Sequence, residues 1–156
     1  MVRFTGIMTI SLILILFPGN TRVVRAKTHS EEVSFTSGDA VFSGTLSLPE
    51  ASGPYPGVVL ISGMGQQDRD WSFVGGKYTF AKGIADHLTA KGIAVLRYDD
   101  RGHGKSTGAP EMETGFDLLA EDVNAAVTML RKRPDIAKIG VCVFRLPQQM
   151  ETHMRL

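Results

Sequence analysis

The chain has 156 residues, 43% hydrophobic and 21% charged, with 17 Gly and 7 Pro. This ordinary globular composition excludes collagen-like, mucin-like and wholly disordered chains. Its 17 Lys and Arg against 16 Asp and Glu give a formal charge of +1, so no basic excess marks a nucleic-acid binder, and its single Cys excludes an intramolecular disulfide framework.

The first 26 residues have the three-part form of a secretory signal. Arg3 supplies the positive start. Ile7 to Phe17 is an uncharged, mostly apolar run of 11 residues, too short for a bilayer span, which needs about 20. Pro18-Gly19 breaks the run, and Val24-Arg25-Ala26 offers a small-residue cleavage pattern. Removing this leader takes away Arg3, Arg22 and Arg25 and no acid, which leaves 14 basic against 16 acidic residues. The expectation is a mildly acidic exported domain, periplasmic or secreted, with no stable membrane span once the leader is gone.

Glu32 to Phe35 and Val41 to Leu48 alternate apolar and polar residues around Gly38-Asp39, which predicts a hairpin of half-exposed strands. After a Pro/Gly/Ser loop from Pro49 to Pro56, Val58 to Ile61 is a continuous apolar run, as in a strand buried on both faces. A loop from Ser62 to about Gly76 follows. Tyr78 to Lys91 sets Phe80, Ala81, Ile84, Ala85 and Leu88 at helical spacing, and Gly92 is a natural stop. Ile93 to Tyr98 predicts another buried strand, and Asp99 to about Glu113 a Gly-rich polar loop. Phe116 to Arg133 predicts a helix with Phe116, Leu119, Val123, Val127 and Leu130 on its apolar stripe, ended by Pro134. Ile139 to Phe144 predicts a last strand.

Buried strands alternating with amphipathic helices imply an α/β fold with a mostly parallel sheet and right-handed crossovers. Ligands of such sheets bind beyond the carboxyl ends of the strands. Three loops are expected at that position, after Ile61, after Tyr98 and after Phe144. Glycines directly after a buried strand let backbone N–H groups face a developing oxyanion, and by position Gly63 and Met64 are the candidate oxyanion-hole loop. A dinucleotide fingerprint starting at Gly63 needs a third Gly where Asp68 stands, and a phosphate loop ending in Gly104-Lys105-Ser106 needs one where Asp99 stands. Asp99, Asp100 and Arg101 are expected to hold their loop through ion pairs and bonds to backbone N–H groups, with Gly102 and Gly104 shaping it. His103 reads as a solvated loop residue.

Asp-x-Arg-Gly-x-Gly-x-Ser at 99 to 106, after the strand ending at Tyr98, resembles the α/β-hydrolase superfamily. Ser62-Gly63-Met64-Gly65-Gln66-Gln67-Asp68-Arg69-Asp70 narrows the resemblance to bacterial esterase-like members related to the serine aminopeptidase and dienelactone hydrolase groups. The resemblance covers roughly Glu31 to Val141 and implies the N-terminal half of that fold, cut off before its nucleophile elbow. It implies hydrolysis of a small-molecule ester, thioester or amide through a serine acyl-enzyme, with no metal and no cofactor.

In that family the strand at Lys138 to Cys142 leads into Gly-x-Ser-x-Gly, where a His takes the Ser proton and an acid orients the His. Here Cys142-Val143-Phe144-Arg145-Leu146-Pro147 stands in that place. The expectation is that no catalytic Ser, Asp or His is present. Cys142 reads as a thiol within a buried strand, Ser62 and Ser106 have no assigned His, His87 lies on a helix, and His29 and His153 lie near the ends. Deletion of one base from codons for Cys-Gly-Phe-Ser gives Cys-Val-Phe-Arg, the residues at 142 to 145. Residues 27–142 are thus expected to be a partial hydrolase domain and 143–156 an out-of-frame tail, with an authentic short paralogue as the alternative. A last strand left at a sheet edge predicts poor solubility. The functional alternative is a non-catalytic binding protein built on a hydrolase half-sheet.

Overall fold

The computed structural model describes residues 28–63, 66–110 and 115–144. The leader, Met64 and the tail beyond Phe144 lie outside these residues. No helix among the described residues is long and apolar enough to cross a membrane.

The hairpin consists of β1 (Thr28–Ser37) and β2 (Ala40–Pro49), longer at both outer ends than the alternation predicts. Gly38, at φ +57°, makes the turn and sets Phe35 opposite Phe42. β3 (Tyr55–Ser62) and β6 (Ala94–Tyr98) are the buried strands. Between them lie β4 (Ser72–Phe73), β5 (Tyr78–Thr79) and helix α1 (Phe80–Thr89). Helix α2 (Phe116–Arg131) and β7 (Ile136–Phe144) complete the fold.

The main sheet runs β1-β2-β6-β3-β7. β6, β3 and β7 are parallel, and the hairpin joins β6 antiparallel. The helices cover opposite faces. Val59, Leu96, Leu46 and Phe42 pack under Ala126 and Leu130 of α2. Leu60 and Val95, one residue out of phase, pack under Ala81 and Ala85 of α1 together with Trp71. On the α2 face Phe35 stacks on Phe42 at 5.0 Å, and Tyr98 meets both edge-on at 5.3 and 5.6 Å.

Four expectations are corrected. First, β2 is not half exposed. Gly44 to Pro49 is buried because β1 and β6 flank the strand, and Arg69 reaches across its polar face to Ser43 and Thr45. Second, Tyr78 and Thr79 are not helical. They pair with β4, through a turn in which Val74, Gly75 and Gly76 all have positive φ. Third, the inward face of α2 is rotated. Asp122, Ala126 and Leu130 are buried, while Phe116 is 90% exposed. The Arg101 guanidinium draws Asp122 inward, and that pairing decides which side of the helix faces the sheet. Fourth, Cys142 is an exposed free thiol, not a buried one. β7 pairs with β3 along one edge only, and little packs over the stretch from Gly140 to Val143.

Candidate active site at the strand exits

The exits of β3 and β6 lie side by side, and the loops that leave them are tied together by charge. Asp99 follows β6 directly. Its Oδ1 accepts from the Arg69 N–H at 2.8 Å and from Nε at 3.1 Å. Its Oδ2 accepts from Arg69 Nη2 at 2.9 Å and from the Lys105 N–H at 3.0 Å. Burial alone would raise the pKa of Asp99, but these donors outweigh it and hold the carboxyl below the usual carboxylate range. The same guanidinium donates to Glu32 Oε2 at 2.6 Å, Thr45 Oγ1 at 3.0 Å and Ser43 Oγ at 2.6 Å. Arg69 thus clamps the 66–71 loop to the hairpin and to the β6 exit. Asp70 of the same loop pairs with the buried Arg97 of β6.

Arg101 serves the opposite side. It forms a two-pronged pair with Asp122 (2.8 and 2.6 Å), reaches Asp39 and the Ser37 carbonyl, and lies over the Phe42 ring. Hydrogen bonding to Asp122 raises its already high pKa. Gly104 has φ +56°, and a Cβ there would meet Asp99 Cγ at 2.7 Å, so only Gly lets the loop close over that carboxylate. The loop then returns to the hairpin. Ser106 Oγ accepts from the Ser43 N–H, and Thr107 Oγ1 from the Val41 N–H.

Gly104-Lys105-Ser106-Thr107-Gly108 fits the string Gly-x-Ser-x-Gly, a match the sequence reading passes over. The structure shows why it is no elbow. Ser106 is buried, its hydroxyl donates to the Asp99 carbonyl at 2.7 Å, and the next helix starts only at Phe116. An elbow needs an exposed Ser on a strand-to-helix turn.

Asp100 sits beneath the β3 exit. Its Oδ2 accepts from Ser62 Oγ at 2.8 Å and from the Gln67 N–H at 2.7 Å, and its own N–H donates to the Gln67 carbonyl. Gln66 Nε2 donates to the Arg101 carbonyl at 3.0 Å. These four bonds fasten both sides of the turn that contains Gly63. Burial pushes the Asp100 carboxyl up to about 6, against the lowering effects of Ser62, Gln67 and His103.

Gly63 lies exposed at the β3 exit, and Met64 lies outside the described residues. Among the described residues the histidines do not converge: His29 is exposed on β1, His87 is exposed on α1, and His103 is partly exposed in the loop after β6. The Ser62 and Ser106 hydroxyls donate to Asp100 and to the Asp99 carbonyl rather than to a His. Among the described residues no group of His, Cys, Asp or Glu is placed to hold a metal ion.

A parallel β3-α1-β6 unit, an antiparallel hairpin on one flank, β7 on the other and Gly-bearing loops at the strand exits define an α/β-hydrolase type of fold. Comparison with known proteins agrees. A model of the serine aminopeptidase family S33 matches residues 74–142. Esterase EstD from Thermotoga maritima is 35% identical over 98 residues, which is 63% of this chain and 23% of that protein. The alpha/beta hydrolase GrgF from Penicillium sp. sh18 superposes with a TM-score of 0.62 at 25% identity, over 74% of this chain and 37% of its own. A dienelactone hydrolase-like promiscuous phosphotriesterase from metagenomic libraries gives 0.55 at 24% identity, over 75% and 49%. The chain spans about a quarter of the esterase and less than half of each of these two structures. Sequence and fold are both similar to α/β-hydrolases, and the architecture is that of a partial α/β-hydrolase fold.

Proposed function

We propose that this chain is the oxyanion-loop portion of a serine α/β-hydrolase acting on small esters, thioesters or amides. The observation that carries the reading is the β3 exit, where Asp100 and the Gln66 side chain fix the Gly63 turn from below. Acyl transfer passes through a tetrahedral intermediate whose oxygen is negative, and prepositioned backbone N–H groups stabilise it by about 3–4 kcal/mol per donor. By position the Met64 N–H is one donor. The likeness to an esterase supports the substrate class.

The nucleophile, its His and the orienting acid are assigned to none of the described residues. On this reading the 156-residue polypeptide alone does not turn over, residues 27–142 are the hydrolase portion and residues 143–156 a frame-shifted tail. Residues 1–26 direct export, and cleavage after Ala26 leaves Lys27 as the mature N-terminus.

The test has two parts. A fluorophosphonate probe leaves this polypeptide unlabelled, and stoichiometric labelling overturns the claim of inactivity. The gene read in the other frames past Cys142 yields a Gly-x-Ser-x-Gly elbow with later Asp and His motifs. Their absence there overturns the frameshift and with it the assignment of this chain to an interrupted serine hydrolase.

A further inference from the structure

Asp99 and Asp100 are adjacent, both buried, and unlike. Asp99 is neutralised by Arg69, while no ion pair forms at Asp100 among the described residues. Among the described residues its carboxylate is held by the Ser62 hydroxyl and the Gln67 N–H. The charged groups that face it are Asp99, which disfavours its ionisation, and His103, which favours it. Among the described residues the β3 exit offers it the Ser62 hydroxyl and the 66–71 loop the Gln67 N–H. Arg69 in that loop is committed to Asp99, Glu32 and the β2 hydroxyls, and Arg101 to Asp122 and Asp39.

A buried carboxylate without a cation is costly to keep, so its position calls for a use. The two groups it holds flank the Gly63 turn, one at the end of β3 and one four residues beyond Gly63. A bond to a charged acceptor is about twice as strong as one to a neutral acceptor. We propose that Asp100 is a positioning residue whose charge state sets the Gly63 turn: as carboxylate it pins Ser62 Oγ and the Gln67 N–H, and on protonation it slackens both. The inference rests on reading that turn as the oxyanion-hole donor. It adds that one proton tightens and loosens the hold on Ser62 and Gln67, on either side of that donor.

The experiment is a pH titration of the full chain followed by amide resonances and by the side-chain carboxyl carbon of Asp100. The Gln67 and Gly63 amides move together, with the Asp100 carboxyl carbon, around one midpoint near pH 6. Asp100→Asn abolishes that midpoint. His103→Gln keeps it and moves it upward, because removing the imidazolium removes a group that favours the carboxylate. An Asp100 carbon that titrates near the usual 3.8 overturns the proposal and needs no variant to fold. Amides that stay flat overturn it too, as does a midpoint that survives Asp100→Asn and vanishes in His103→Gln. None of these readouts depends on turnover. Titration without an elbow in the extended reading frame keeps the positioning role and loses the hydrolase reading; an elbow without titration does the reverse.

Discussion

The β6 exit and the β7 edge flank the same central strand, β3, and are built on opposite plans. At the β6 exit Asp99, Arg101 and Ser106 are buried, and each finds two or more partners of fixed geometry. At the β7 edge the stretch from Gly140 to Val143 is apolar and uncovered, with Val141 47% and Val143 63% exposed, and Phe144 beyond it stacks on the Trp71 ring at 5.3 Å. One flank draws its specificity from directional bonds between charged groups, so it tolerates little change. The other draws on nondirectional apolar contact along one ladder, so it tolerates substitution but invites association.

This contrast orders the expected effects of mutation. Asp122→Ala takes the two-pronged partner from the Arg101 guanidinium, which is 1% exposed and keeps only Asp39 and the Ser37 carbonyl among its described hydrogen-bond partners. Loss of about 3–5 kcal/mol is expected in chemical denaturation; a cost near that of an average surface change would show the pair to be incidental. Gly104→Ala combines a positive φ with a contact at 2.7 Å to Asp99. It costs about 2–3 kcal/mol, measured the same way, and a smaller loss would mean the loop gives way more easily than its bonds suggest.

Asp100→Asn changes stability in the opposite direction. The folded pKa of Asp100, about 6, lies above the ordinary 3.8. Its neutral form is therefore favoured by folding. The resulting contribution is complete below about pH 4 and is lost as pH rises through about 6. The Asn variant should exceed the wild type by about 1–3 kcal/mol at pH 8 and match it at pH 3.5. A constant difference across that range would remove the titration from the account. The smallest effect belongs to the open flank. Val143→Lys should leave the unfolding free energy within about 0.5 kcal/mol while lowering light scattering at high concentration; unchanged scattering would acquit the β7 edge.

What could be read from the chain follows the same division. The strands, the two helices and the hairpin turn announce themselves through period, apolar runs and Gly38, since burial of one or both faces imposes those patterns directly. The ends of α2 were legible from Pro134, but its rotation was not. Val123 looks like a core position, and only the distant Arg101, 21 residues earlier, explains why Asp122 lies inside instead. The turn at 74–77 hid β4 and β5, because Val74 at φ +52° runs against the preference of a β-branched residue. At the site, the Gly-rich exits were visible as spacing. The reach of Arg69 to the hairpin was not, because it joins residues 24 to 37 positions apart in the sequence. The burial that makes Asp100 unlike Asp99 leaves no mark in a string of two identical letters.

Trp71 is the chain's one tryptophan. It is 4% exposed, its N–H is bonded to the Asp68 carbonyl, and its ring stacks on Phe144 at the last described turn of β7. A single indole therefore touches both plans at once. Its emission is a built-in optical gauge: loosening of the β3 exit loop and fraying of the β7 terminus each change the polarity around the same ring. Phe144→Leu silences the second contribution and leaves the first to be read alone.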